Sequence, residues 1–272
     1  MLFRSLKVAS DGTVSTFSTG ISVPLGLALD GSGNLYVGNY DTNSINKISS
    51  TGALTTFATG LTGPDGLAFD GAGNLYVANY NTSTISKVTL AGNVTTFANG
   101  LDGTIHGLAF DRDGNLYFGN YNHGTVSRIT PAGAISTFAS GLSSPEDLAF
   151  DRLGNLYVSN YSANTITKIT SAGTIATFAT GLSGPEGIAV DAEGDLYVSN
   201  TSNNTISKVT PTGTVSTFAT GFAVPLFIVD VPEPVSLWLF VFSTAGVLRR
   251  PRAARNKGAV LTRNAGRFCL SE

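Results

Sequence analysis

The sequence predicts an all-β, six-bladed β-propeller, with five full four-stranded blades and a composite blade closed by both termini. Three observations predict it. Near-identical stretches begin at Ile21, Leu61, Leu101, Leu142 and Leu182, and a period of 40 or 41 residues marks a repeat architecture. Each stretch holds four short runs rich in Val, Ile, Thr, Tyr and Phe, divided by Gly, Asp, Asn and Pro; from Leu182 these are GIAVD, DLYVSN, TISKVT and TVSTFAT. That alternation reads as strand and turn. No run has the length or spacing of an amphipathic helix, so each repeat describes one propeller blade.

The elements follow in order. Lys7, Val8 and Gly12 match Lys208, Val209 and Gly213, so the chain opens inside a blade, at its third strand. Pro225 to Asp230 match a first strand, which lets the two ends complete one blade and remove its free edges. The second strand of that blade is either absent, supplied by Val235 to Phe242, or encoded upstream of Met1 together with a signal peptide. Within each full blade a D-x-x-G-N turn joins the first strand to the second, with Gly33, Gly73, Gly114, Gly154 and Gly194 supplying positive φ. Two of these turns, at Asp111 and Asp191, have the look of calcium loops. The twelfth position is Asn122 or Ser202 where a helix–loop–helix site needs a bidentate Glu, so a plain hairpin is the reading. Tyr at 36, 76, 117, 157 and 197 and Phe in each fourth strand are spaced to pack between blades.

Charge narrows the function classes. The 272 residues carry 16 basic and 18 acidic side chains, yet seven of the basic ones follow Leu248. The repeat region is therefore acidic, which argues against nucleic acid as a partner. A single cysteine, Cys269, rules out an internal disulfide. The opening MLFRSLKVAS lacks the apolar core of a secretory signal.

The pattern P-x-G-I/L-A-x-D-x-x-G-N-L-Y-V, followed by N, I-x-K-V/I-T and V-x-T-F-A, resembles NHL-type propeller repeats over residues 7–230. It is also similar to the wider group of gluconolactonase-like lactonases and streptogramin B lyase. The lactonase resemblance implies a divalent metal in a central funnel, held by Glu, Asn and Asp at the starts of first strands and the ends of second strands. A lyase of the streptogramin type implies a His acting as general base.

Strand alternation places candidates in that funnel. At the entry to the first strands stand Leu25, Asp65, His106, Glu146, Glu186 and Leu226. A second ring, Asn39, Asn79, Asn120, Asn160 and Asn200, ends the second strands. Carboxylates and amide oxygens around an axis suit calcium, and the imidazole admits zinc. The plainer alternative is solvated loop residues, with Asn making ordinary turn hydrogen bonds. His106 is the one candidate base in the inner ring, in a repeat that has lost its Pro and gained a residue before it. No Lys or Arg joins that ring. Tyr40, Tyr80, Tyr121 and Tyr161 follow the Asn ring, placed to stack on a ligand or on one another.

Beyond residue 230 the chain changes character. Val231, Pro232, Glu233 and Pro234 precede an apolar run over 235–248 and then RRPRAARNK. Motif, apolar segment and basic cluster over 231–257 resemble a PEP-CTERM sorting signal, leaving 258–272 as a disordered tail. The resemblance implies export in a Gram-negative bacterium, an exosortase-type partner and transient membrane contact through 235–248. The 14-residue run is shorter than the ~20 residues of a spanning helix. Taken together, the expectation is an exported envelope or matrix propeller that acts as a non-catalytic scaffold for polysaccharide or envelope proteins. The alternative is a metal-dependent hydrolase or a lyase built on Asp65, His106, Glu146 and Glu186.

Overall fold

A computed structural model of the chain describes residues 3–231 and 238–244. Its described residues form an all-β propeller, without helix. Five sheets each consist of four strands consecutive in sequence and paired in sequence order. Their innermost strands are Pro24–Leu29, Pro64–Phe69, Ile105–Phe110, Pro145–Phe150 and Pro185–Val190. A further sheet is assembled from the two ends of the chain, in the order Val14–Ile21, Phe3–Ala9, Trp238–Thr244, Pro225–Val231.

Of the three expectations for the second strand of that closing sheet, one is realised. Trp238–Thr244 takes the place, pairing antiparallel with Phe3–Ala9 on one side and Pro225–Val231 on the other. Part of the apolar run thus serves as a strand, and Pro232, Glu233 and Pro234 lie outside the described residues. Each innermost strand packs on the next around the axis, and Pro225–Val231 packs on both Pro185–Val190 and Pro24–Leu29.

The core lies between sheets. Second strands are buried along their whole length, whereas fourth strands bury little beyond their C-terminal end. Tyr36 is the pattern in miniature: its ring meets Phe57 of its own blade at 4.9 Å and Phe69 of the next blade at 5.0 Å, both edge to face. Tyr76 and Tyr117 repeat the arrangement. Such a pair adds about 0.5–1.5 kcal/mol beyond its burial. The third-strand lysines cover these rings: Lys47 Nζ lies 5.2 Å from the Tyr36 ring and 3.6 Å from Asp30.

The turns behave as hairpins. Asp30 Oδ1 accepts from the Ser32 and Asn34 amides at 2.9 Å each, and Gly33 has φ 76°. Asp111, in one of the calcium-like loops, accepts from the Asp113 and Asn115 amides in the same way.

Around the axis the strands approach so closely that the third residue of most first strands has no room for a side chain. A Cβ on Gly66 would sit 2.6 Å from the His106 carbonyl oxygen, and one on Gly187 would sit 2.7 Å from that of Leu226. Both obstacles are backbone, which can yield only by opening the ring. Gly66→Ala should therefore cost about 1–3 kcal/mol or more, measured as a drop in the urea midpoint. Gly31→Ala, with nothing within 4 Å of the added carbon, should leave the midpoint within error.

Candidate acid–base site at the propeller axis

The inner-ring candidates occupy the second position of the first strands, one residue further in than an entry position. All six are buried, Asp65 at 0 % exposure and His106 and Glu146 at 3 %. Three are brought into contact. His106 Nδ1 lies 2.9 Å from Asp65 Oδ2 and 3.3 Å from Glu146 Oε2, so carboxylates from the blades on either side converge on one ring nitrogen. Glu186 occupies the equivalent place one blade further on, while Leu25 and Leu226 make the opposite wall apolar.

The tyrosines that follow the second strands stand above this cluster. Tyr40 meets Tyr80 with centroids 5.9 Å apart, Tyr80 meets His106 at 5.5 Å, and His106 meets Tyr121 at 5.2 Å. Tyr40 Oη donates to Asn81 Oδ1 at 2.8 Å. Burial, followed by the charge of Glu146, holds the Tyr121 phenol above its ordinary range.

The asparagines play another part than the expected second ring. Each is buried and turned into its own blade. Nδ2 of Asn79, Asn120 and Asn200 donates to Ser86, Ser127 and Ser207 at 2.8–2.9 Å, that of Asn160 to Thr167 at 2.8 Å, and that of Asn39 to Asn46 Oδ1. Their Oδ1 atoms accept the backbone amides of Ser22, Thr62, Ser143 and Ser183 in the loops entering the first strands. The exception is Asn120, whose Oδ1 has no such partner among the described residues. Its entry loop is the one lengthened before His106. These amides fix the loops that present the inner ring.

Sequence reasoning passed over Asp147. It replaces the close-approach glycine of the other full repeats, and that break in the pattern was its signal. The carboxylate spans two blades: Oδ2 accepts the Ile188 amide at 3.1 Å, Oδ1 accepts that of Leu148 at 2.9 Å, and Oδ1 occupies the space a Cβ on Gly107 would need. Ser159, on the neighbouring second strand, donates to the Glu186 carbonyl, and its oxygen accepts the Asp147 amide at 3.0 Å. Burial pushes the Asp147 carboxyl up to about 7, opposed by the two amides and reinforced by Asp65 and Glu146.

Asp65 and Glu146 both face Nδ1 of His106, and among the described residues no three His, Cys, Asp or Glu side chains are set to share an ion. What the cluster offers is an imidazole flanked at Nδ1 by two carboxylates, an arrangement suited to proton transfer.

The fold and site together define a β-propeller with an acid–base cluster on its axis. A family comparison then places the chain: the virginiamycin B lyase family matches in two overlapping spans, residues 6–180 and 98–250. The protein belongs to that family. A comparison with functionally curated proteins finds no match. Among solved structures, virginiamycin B lyase from Staphylococcus aureus is 17% identical with a TM-score of 0.65, over 89% of this chain and 99% of that one. A catalytically inactive histidine-to-alanine variant of the S. aureus enzyme, with quinupristin, is 21% identical with a TM-score of 0.66, over 87% and 81%. A gluconolactonase from Xanthomonas campestris is 17% identical with a TM-score of 0.71, over 88% and 90%. These likenesses establish a shared fold.

Asp147 makes stability depend on pH. It keeps its proton to about pH 7 when folded and to about pH 4 when unfolded, so in between the folded state binds the extra proton. Its contribution should fall as pH rises through that window and level off above it, a change on the order of 4 kcal/mol. Melting temperatures across the window should slope down in the wild type. They should be flatter in Asp147→Asn.

Proposed function

We propose that the protein is an enzyme of the lyase type, with His106 as its general base, in a six-bladed ring whose axial funnel holds the substrate. The observation that carries this reading is the 2.9 Å approach of Asp65 Oδ2 to His106 Nδ1. A carboxylate this close to Nδ1 favours a proton there, suits Nε2 to the role of base, and stabilises the imidazolium that results. Family membership favours an enzyme over the non-catalytic scaffold that repeat regularity alone suggests. So does the breaking of symmetry at Asp65, His106, Glu146 and Asp147 among near-identical blades.

In a lyase reaction on a cyclic ester, His106 Nε2 would take a proton from carbon. The electron pair of that C–H bond would form a double bond as the ester C–O bond breaks, and the ester oxygen would leave as a carboxylate. Asp65 and Glu146 hold the imidazole and offset its new charge. The funnel walls supplied by Leu25 and Leu226 exclude water from one side. No step passes through a metal.

We further propose export, with the 231–257 segment as the sorting signal read by an exosortase-type enzyme. What supports it is the order of motif, apolar run and basic cluster in the sequence.

The test is turnover of virginiamycin B, quinupristin and a lactone panel including gluconolactone, followed by mass spectrometry. Elimination opens the ring without change of mass, whereas hydrolysis adds one water. His106→Ala should lower kcat/KM by about a hundredfold or more, and Asp65→Asn should lower it substantially while preserving the melting temperature. Full activity of His106→Ala, or products one water heavier, would overturn the lyase assignment. Activity that disappears with chelator and returns with calcium or zinc would replace it with metal-dependent hydrolysis.

A further inference from the structure

The basic side chains of the described propeller are sorted by face. Among the described side chains, lysine and arginine occupy only the third strands and the turns between first and second strands, away from the funnel mouth. There they have acidic partners: Lys47 with Asp30, Lys87 with Asp70 and Lys208 with Asp195, at 3.6, 3.7 and 2.6 Å. The loops that surround the funnel contain no lysine or arginine in any described repeat. Acidic groups occur on both faces, but on the funnel side Asp41 and Asp102 in the loops and Asp65, Glu146 and Glu186 buried near the axis have no lysine or arginine among them. Low-dielectric walls lined by one sign of charge focus the field into a cleft.

The second observation is aromatic. Half-buried Tyr40, Tyr80 and Tyr121 form an arc with His106 over the carboxylates, at centroid spacings of 5.2–5.9 Å. Aromatic faces attract organic cations and do nothing comparable for anions. Burial and then the neighbouring acids, Asp41 and Asp65 for Tyr40 and Glu146 for Tyr121, hold these phenols above their ordinary range, so the rings stay neutral.

We infer that the funnel selects a ligand carrying an organic ammonium group next to aromatic or apolar surface. The cation would sit against Tyr80 and the carboxylates of Glu146 and Glu186, with its apolar flank toward Leu25 and Leu226. The inference deepens the enzyme reading, since it names the substrate class of the same site. It rests on that reading only for the claim that the bound ligand is turned over.

Calorimetry of the full chain, in low salt with chelator, would compare benzyltrimethylammonium, benzyl alcohol and phenylmethanesulfonate. The cation should bind about tenfold tighter than either of the others. Glu186→Gln should weaken it about tenfold, Tyr80→Leu should weaken it severalfold, and Tyr80→Phe, which keeps the aromatic face, should restore it. Equal or tighter binding of the alcohol, absence of binding by all three, or indifference to Glu186→Gln would overturn the inference. So would preference for the sulfonate, the behaviour of a funnel whose carboxylates are neutralised by a metal. Because binding is read without turnover, a neutral lactone consumed through His106 would leave the lyase reading standing while charge selection fell. Cation preference without turnover would do the reverse.

Discussion

Backbone-to-backbone contact around the axis is the constraint on which the rest depends. Gly66 and Gly187 let one first strand lie directly against the carbonyls of the next, and that proximity carries side chains 40 residues apart in sequence to within hydrogen-bond range. The Asp65–His106–Glu146 cluster exists because three neighbouring strands start at the same height and nearly touch. A wider ring would separate them, and each would become an isolated polar group needing water. Tightness also explains the burial of the cluster, which strengthens every electrostatic interaction within it.

Much of the fold was legible because the repeat is its own alignment. Period, strand composition and the Asp–Gly turns each point to the same hairpin geometry, and Tyr36 and Phe57 pack as their spacing requires. The composite blade was legible from Lys7 and Val8 as copies of Lys208 and Val209, though the identity of its second strand was not. Leu239, Phe240 and Val241 take the register positions of Leu196, Tyr197 and Val198, but Phe242 and Ser243 stand where that repeat has Ser199 and Asn200, so the pairing was needed to place the strand.

The site was legible in part. His106 and its two acids could be found by asking which residues share a height around the ring. The asparagines could not be assigned from position, because a residue at a strand end can face the axis or turn into its blade. The serine or threonine two places into the third strand, Ser86 for Asn79, decides the matter by offering a partner. Asp147 was not legible because its equivalents in the other full repeats are packing glycines, which mark no site. An acid in place of a packing glycine carries information all the same, since a buried carboxylate persists there only with amides such as that of Ile188 to receive it.

The sheet stitched from both ends couples the life history of the chain to its shape. Any processing between Val231 and Trp238 that released the downstream segment would withdraw the strand joining Phe3–Ala9 to Pro225–Val231. Two rows of amides and carbonyls would then face a gap, ready to accept a substitute strand. Maturation of this protein, if it proceeds by such a cut, is also an exchange of partners at the seam.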